Sequence, residues 1–299
     1  MATLRAVRSR ISGVKKIQKI TKAMKMVAAV KLRRAQQNVV SARPYARKLR
    51  ELLLHLCANT DVSVHPLVAP REVNAVALVI VTSDRGLCGA FNSNLMRAAA
   101  NHISEKYPAA SQTGKLKIFC VGRKGFEFFF NRRYAISGKY IGAYNNLVFD
   151  QARTIARDIV ERYGKGEFDR VEIAYNEFKS IAQQRIVIEQ FLPVPTDVFL
   201  SDGKGERPRP STNYIYEPSS DELLQALLPR HLNFHIWRIL LESNAAEQGA
   251  RMAAMENATE NAEELISNLQ LQYNKARQAS ITKELLEVVA GAEALREAG

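Results

Sequence analysis

Steps of three and four from Leu4 land on Val7, Ile11, Val14, Gln18, Thr21, Lys25, Ala28, Leu32, Ala35, Val39, Ala42, Ala46, Leu49, Leu53 and Leu56. Apolar residues at this spacing mark one stripe of an amphipathic helix. The series fails only at Gln18, Thr21 and Lys25, where Ile17, Ile20, Met24 and Val27 stand next to the gaps. The expectation is that the stripe drifts by one residue there, because 3.6 residues per turn does not match a 3.5 repeat. The spacing predicts a helix of roughly 55 residues, about 80 Å long. Pro44 lacks a backbone donor and is expected to bend it, with the stripe resuming in phase beyond.

A second pattern of this kind begins near the other end. Ser219, Ser220 and Asp221 follow Pro218 as candidate N-caps, and no proline occurs after Pro229. Apolar and small residues then recur at Leu232, Ile236, Ile239, Ser243, Ala246, Ala250, Ala253, Asn257, Asn261, Leu265, Leu269, Tyr273, Ala276 and Ala279. They predict a helix of about 75 residues, some 110 Å long. Helices in globular proteins average about 12 residues, so each of these must cover its stripe against something, and the other is the obvious partner.

Between them the period changes. Residues 76–81 form an unbroken apolar run, typical of a strand buried on both faces. A turn over residues 82–89 leads to a helical stretch ending near Tyr107. Runs at 116–121, 136–141, 170–176 and 181–192 read as further strands, with helices to Asn131 and over 149–163. Alternating strands and helices indicate a Rossmann-like α/β layer with a mainly parallel sheet. Gly and Pro in residues 201–210 mark a connector after it. The expected architecture is thus α+α/β: a coiled-coil helix over residues 1–58, an α/β module over 73–200 and a second coiled-coil helix over 219–299.

One helix enters the module and the other leaves it, so they pair antiparallel, residue i facing roughly residue 277 − i to within a turn or two. Charge supports that register. Residues 242–264 hold six Glu and one base, Arg251, whereas the facing residues 13–35 hold eight Lys or Arg and no acid. Opposite charges flanking a seam set orientation and partner choice. The longer helix outruns the shorter by about 20 residues, roughly 30 Å. Residues 285–295 stay largely apolar there, and an unpaired apolar tip calls for a sheath from another protein.

Charge changes the picture in a second way. The net +13 is concentrated in the first 57 residues, which carry fifteen Lys or Arg and a single carboxylate, Glu51. A local field of one sign implies an oppositely charged partner. Cys57, Cys88 and Cys120 are widely spaced and lack ligand spacing, which fits inert thiols in a reducing compartment. No apolar run of about 18 residues is present for a membrane span, and the N-terminus lacks a secretory h-region. The expectation is a soluble, cytoplasmic chain without direct membrane insertion.

No site chemistry is legible. Neither GxxxxGK[ST] nor GxGxxG occurs, and the 82–89 turn reads as a Gly-assisted connection more readily than a phosphate loop. His231 and His235 stand four apart on a helix without an acid or Cys alongside, so no metal is expected, nor any cofactor. Three classes remain from the residues alone: a scaffold or rotor, a basic-helix nucleic-acid-binding scaffold, and an α/β enzyme. The basic helix carries one aromatic, Tyr45, and a regular apolar stripe, which favours a protein groove over nucleic acid.

Three segments decide among them. Residues 17–29, residues 82–89 followed by Phe91 and Asn92, and residues 273–292 together resemble the gamma subunit of rotary (F-type) ATP synthases. The last segment carries Ile281, Thr282, Glu284, Glu287, Gly291 and Ala292 at the family's signature spacing. The resemblance covers essentially the whole chain. It implies a non-catalytic rotor in the central stalk of the proton-translocating enzyme, transmitting torque between the membrane c-subunit ring and the catalytic alpha/beta ring. The implied partners are the alpha, beta and epsilon subunits and the c-ring, with no nucleic acid. By position, Lys22, Met24, Lys25, Arg251, Arg277, Gln278, Thr282, Glu284 and Glu287 are the expected contacts to the catalytic ring. Cys88 is expected to face beta and epsilon, and Tyr214, Tyr216 and Glu217 to meet the c-ring. Without a transit peptide, the implied place is the cytoplasmic face of a bacterial plasma membrane, as a peripheral protein.

Overall fold

The computed structural model describes residues 4–59, 65–144, 147–181, 183–195 and 216–297. The connector expected over 201–210 and Tyr214 lie outside them. Helix α1 spans Leu4–Asn59 and continues through Pro44. Strand β1 (Val76–Val81), helices α2 (Phe91–Lys106) and α3 (Pro108–Gln112), strand β2 (Leu116–Val121), helix α4 (Arg123–Asn131) and strand β3 (Ile136–Tyr140) follow. Helix α5 (Phe149–Gly164), strands β4 (Arg170–Phe178) and β5 (Gln184–Leu192) and helix α6 (Ser220–Glu297) complete the chain. Ser219 caps α6 as expected: its Oγ accepts the Glu222 N–H and donates to the Glu222 carboxylate.

The chain divides into two compact units, Ala28–Arg251 and Met1–Val27 with Met252–Gly299. In the first, five strands run in the order β3-β2-β1-β4-β5. The first four are mutually parallel, and β5 pairs antiparallel with β4. The last run was expected from Ile181; the strand begins at Gln184, because the Ser180 and Gln183 backbones bond each other in the turn between β4 and β5. A short helix, α3, also interrupts the connection after Tyr107.

Alternate residues of the strands feed two cores. Ala77, Val79, Val81, Phe119, Val121, Val171, Ile173 and Tyr175 face α5 and the module-proximal parts of α1 and α6, through Leu49, Leu53, Leu228, Leu232 and Ile239. Val76, Leu78, Ile80, Ile118 and Cys120 face α2 and α4, through Leu95, Ala99, Ile103 and Phe129. A third, smaller cluster joins Cys88 and Phe91 to Ala246 and Ala250 on α6. Small side chains make that approach possible, since a Cβ on Gly249 would stand 3.3 Å from the Phe178 ring. The Tyr45 and Phe234 rings meet at a tilt of 47° between α1 and α6 in this unit, centroids 5.1 Å apart.

In the other unit, residues 4–27 of α1 lie antiparallel to the second part of α6. Thr21 Oγ1 and Thr259 Oγ1 are 2.8 Å apart, and Lys25 pairs with Glu256. Residue i faces roughly residue 280 − i, three positions from the expected register and inside the stated turn.

The seam itself differs from the expected one. It does not drift onto Ile17, Ile20 and Val27, which are 55%, 58% and 55% exposed. Gln18, Thr21 and Lys25 stay in it, and Thr21 is buried. On α6 the covered positions are Met255, Thr259, Ala262, Ile266 and Leu269, whereas Asn257, Asn261 and Leu265 face outward. The physical reason is mutual satisfaction. A polar residue in a seam costs little when its partner across the seam answers it, and the 3.5-residue spacing is then kept.

Glu172 on β4 is a buried carboxylate at the module's other side. His102 Nε2, Lys106 Nζ and Tyr107 OH reach its oxygens at 2.6, 2.6 and 2.7 Å. Burial opposes its charge, but these hydrogen bonds together hold its pKa below the usual value of 4.5. A depressed folded pKa gives stability that is complete above the ordinary carboxylate range and lost as pH falls through the folded value. Glu172→Gln should therefore cost about 1–3 kcal/mol at neutral pH. The gap to the unaltered chain should close on acidification below about pH 4, as followed by thermal unfolding. A gap independent of pH would exclude this role.

Candidate functional site

The residues singled out by the sequence fall into separate groups. Lys22, Met24 and Lys25 occupy one turn of α1. Lys22 is exposed, Met24 half-buried, and Lys25 is held by Glu256. Next to Met24, the outward Ile17, Ile20 and Val27 form a second apolar stripe beside the seam, flanked by lysines. Periodicity had assigned them to the seam itself; their separate face is what sequence reasoning missed.

Arg277, Gln278, Thr282, Glu284 and Glu287 are all exposed on the last turns of α6. Thr282 Oγ1 donates to the Gln278 carbonyl, Ser280 Oγ donates to Glu284, and Lys283 pairs with Glu287, so the polar groups are ordered along the helix. Covered seam positions end at Ser280. Beyond it Ile281, Leu285, Leu286, Val288 and Val289 are 48–70% exposed. This apolar tip was legible from the sequence.

Arg251 belongs with Cys88, in the larger unit. The turn after β1 carries Thr82, Ser83 and Asp84 and ends at Gly89. Its polar groups are spent on its own neighbours. Asp84 accepts the N–H groups of Arg123, Gly142 and Tyr144, tying together the segments that follow β2 and β3. Thr82 Oγ1 accepts the Gly125 N–H at 2.8 Å. Gly122 has a φ of 93°, and a Cβ there would meet the Thr82 carbonyl oxygen at 2.0 Å, so only glycine allows this crossing. Asn92 accepts the Ser83 N–H and donates to Ser83 Oγ and to Cys88 Sγ. The turn is thus a structural knot, as its plainer reading held.

The knot offers two carbonyls to α6, and the side chains of Arg85 and Leu87 are exposed on it. Arg251 Nη1 donates to Gly86 O at 2.5 Å and Nη2 to Arg85 O at 3.4 Å. Nη2 also pairs with Glu247 at 2.6 Å, both side chains being nearly covered. Burial pushes the Glu247 carboxyl above its ordinary range, with Arg251 acting against that shift. The Cys88 thiol is buried, and burial raises its pKa, against smaller lowering by Ser83 and Arg251. Leu87, in the left-handed region at φ 64°, is the exposed side chain beside it.

Tyr216 is half-buried and Glu217 exposed at the entry to α6. His235 and Arg238 both meet Glu189 on β5, so that pair of histidines belongs to a packing network. Among the described residues no cluster of three or more His, Cys, Asp or Glu is placed to hold a metal, and no helix is long and apolar enough to cross a membrane.

Comparison with known proteins gives this arrangement a family. The ATP synthase family profile matches residues 3–295. The ATP synthase gamma chain of Chlorobaculum tepidum is 51% identical over 298 residues, 99% of this chain and 100% of the relative. That of Chloroherpeton thalassium is 48% identical over 99% of both chains. Among solved structures, a chain of the Tetrahymena thermophila mitochondrial ATP synthase central stalk and c-ring is 26% identical, with a TM-score of 0.59 over 80% of this chain and 99% of that one. A chain of the Euglena gracilis mitochondrial ATP synthase shares the fold at 23% identity, with a TM-score of 0.66 over 98% of this chain and 94% of that one. A chain matched by that family profile over residues 3–295, with about half of its residues identical to those of these gamma chains, belongs to the ATP synthase gamma-chain family.

Proposed function

We propose that this chain is the central rotor shaft of an ATP synthase, carrying torque between the membrane c-ring and the catalytic alpha/beta ring while holding no active site itself. Ion flow then drives ATP synthesis, and hydrolysis drives pumping. The observation that carries the reading is apolar surface left uncovered in an orderly way: the α6 tip from Ile281 to Val289, and the second α1 stripe of Ile17, Ile20 and Val27. Surfaces of this kind belong against another protein. The lysines beside the α1 stripe fit acidic loops of beta, and the apolar tip gives contacts without direction, which permit sliding. Polar groups at the tip, Gln278 and Thr282 first, would grip in particular orientations. A rotor biases three catalytic sites only through contacts that differ among them. An asymmetric pair of helices meets that requirement.

Arg251 then has a second part, fastening α6 to the module so that force on the helix reaches the turn bearing Cys88 and Leu87. That turn would face beta and epsilon, and the foot at Tyr214, Tyr216 and Glu217 would face the c-ring. The working place is the cytoplasmic side of a bacterial plasma membrane, peripheral to it. No observation favours nucleic acid.

Two outcomes follow for the assembled complex and the full chain. Truncation from Leu285 should lower ion-driven ATP synthesis about tenfold, equivalent to losing roughly 1.4 kcal/mol of differential contact, with ATP hydrolysis less affected. Unchanged synthesis in an assembled complex would remove the tip from the mechanism. Arg251→Ala should cost about 3–5 kcal/mol of unfolding free energy, because Glu247 is left buried and unpaired. Glu247 then ionises still less readily in the fold, so the deficit should grow as pH rises from about 4 to 8 and shrink in the added presence of Glu247→Gln. A small, pH-independent deficit in denaturant titrations would show the clamp to be incidental.

A further inference from the structure

A third uncovered surface lies on the module, on side chains to which the shaft reading gives no part. Residues 122–144 hold seven of the chain's 23 aromatic side chains, five Lys or Arg and one acid, Glu127, so aromatic and positive character coincide there. Part of this serves the core: Phe129 is buried and packs edge-on against Tyr134. Phe126 and Phe128 pack partly on the same core, Tyr140 and Tyr144 pack on the other, and Phe130 points out. Phe130 is 61% exposed and stacks on Phe126, centroids 5.4 Å apart and planes within 22°. Lys139 on β3 places its ammonium 5.7 Å from the Phe126 ring centre, and the Arg132 guanidinium lies 3.6 Å over Phe128. Arg132, Arg133 and Lys139 are exposed, and Arg133 sits at φ 60°, a left-handed position where non-glycine residues are uncommon. Glu127 is already engaged by Lys124.

We propose that this face of α4 and β3 docks an acidic polypeptide segment of a neighbouring subunit. An apolar or aromatic side chain of that segment lies against Phe130, and its carboxylates meet Arg133 and Lys139. Charge selects the class of partner, since nothing acidic in the patch answers these cations. Its geometry selects polypeptide over nucleic acid. Phe126 is engaged by both the Phe130 ring and the Lys139 ammonium, so it offers no free platform for a base. Recognition runs through side chains and not through strand addition: Ser137 O already accepts Arg162 Nη1, and Lys139 stands on the edge strand.

The test uses the assembled complex with Phe130→Cys in a Cys57→Ser background, labelled with benzophenone-4-maleimide and irradiated. The expected result is an adduct between this chain and a second polypeptide, mapped by mass spectrometry to a carboxylate-rich peptide. Adding Arg133→Glu and Lys139→Glu should cut its yield about tenfold, whereas Lys165→Glu, beyond α5, should leave it unchanged. Should Phe130→Cys prevent assembly, Arg133→Cys carries the same probe at the rim. Absence of a polypeptide adduct in a complex that still co-purifies with alpha and beta subunits overturns the proposal and leaves the shaft reading standing. An adduct to a peptide without carboxylates, to lipid or to nucleic acid overturns it equally.

Discussion

Long helices hold together in water only where a stripe of side chains is covered by a partner, because helix propensity alone gives marginal stability. Helix α1 runs for 56 residues and α6 for 78, and their covered stripe is the constraint on which the rest depends. The seam keeps its spacing through a stretch where three of its α1 members are polar. It can do so because Thr21 meets Thr259 and Lys25 meets Glu256. An exposed ion pair of this kind contributes about 0–1 kcal/mol, too little to hold two helices together. Its effect is on choice: a one-turn slip toward Met255 and Met252 would leave a hydroxyl and an ammonium facing apolar side chains, so the polar layer penalises that register.

Keeping polar residues in the seam has a consequence on the face beside it. Ile17, Ile20 and Val27 are released from seam duty and become a face of their own. Periodicity counts apolar residues without knowing which of two adjacent stripes is covered. Where Gln18, Thr21 and Lys25 interrupt one stripe, a neighbouring apolar series looks like its continuation. That is why the helices, their antiparallel sense and their approximate register were legible, while the local seam was not. The same ambiguity moved the expected α6 stripe onto Asn257, Asn261 and Leu265, one or two positions from the covered Met255, Thr259, Ala262 and Ile266.

The module was more legible, because unbroken apolar runs buried on both faces leave few alternatives. Its β1 and β2 runs stand where the sequence put them, and the parallel order follows from the helices between them. The antiparallel β5 is the exception, since a short turn after β4 permits only a return beside it. Arg251 marks a different limit. Its anchors are carbonyls at Arg85 and Gly86, more than 160 residues upstream, and a backbone carbonyl leaves no trace in sequence pattern. Resemblance marked the residue, and only the fold gives it a physical task.

That task bears on how one chain can be both a bearing and a transmission. A surface that slides needs contacts without direction, which apolar side chains supply, whereas a joint that transmits force needs contacts that fail if displaced by an ångström, which hydrogen bonds supply. The chain separates the two along α6. Directional groups concentrate where Arg251 and Glu247 meet the 82–89 turn, buried and charge-assisted. Uncovered apolar side chains concentrate from Ile281 onward, where helix geometry alone orders them. In the shaft proposed above, reversing that distribution would give a tip that locks and a base that slips, so the placement of polar and apolar groups along one helix suits the proposed division of tasks.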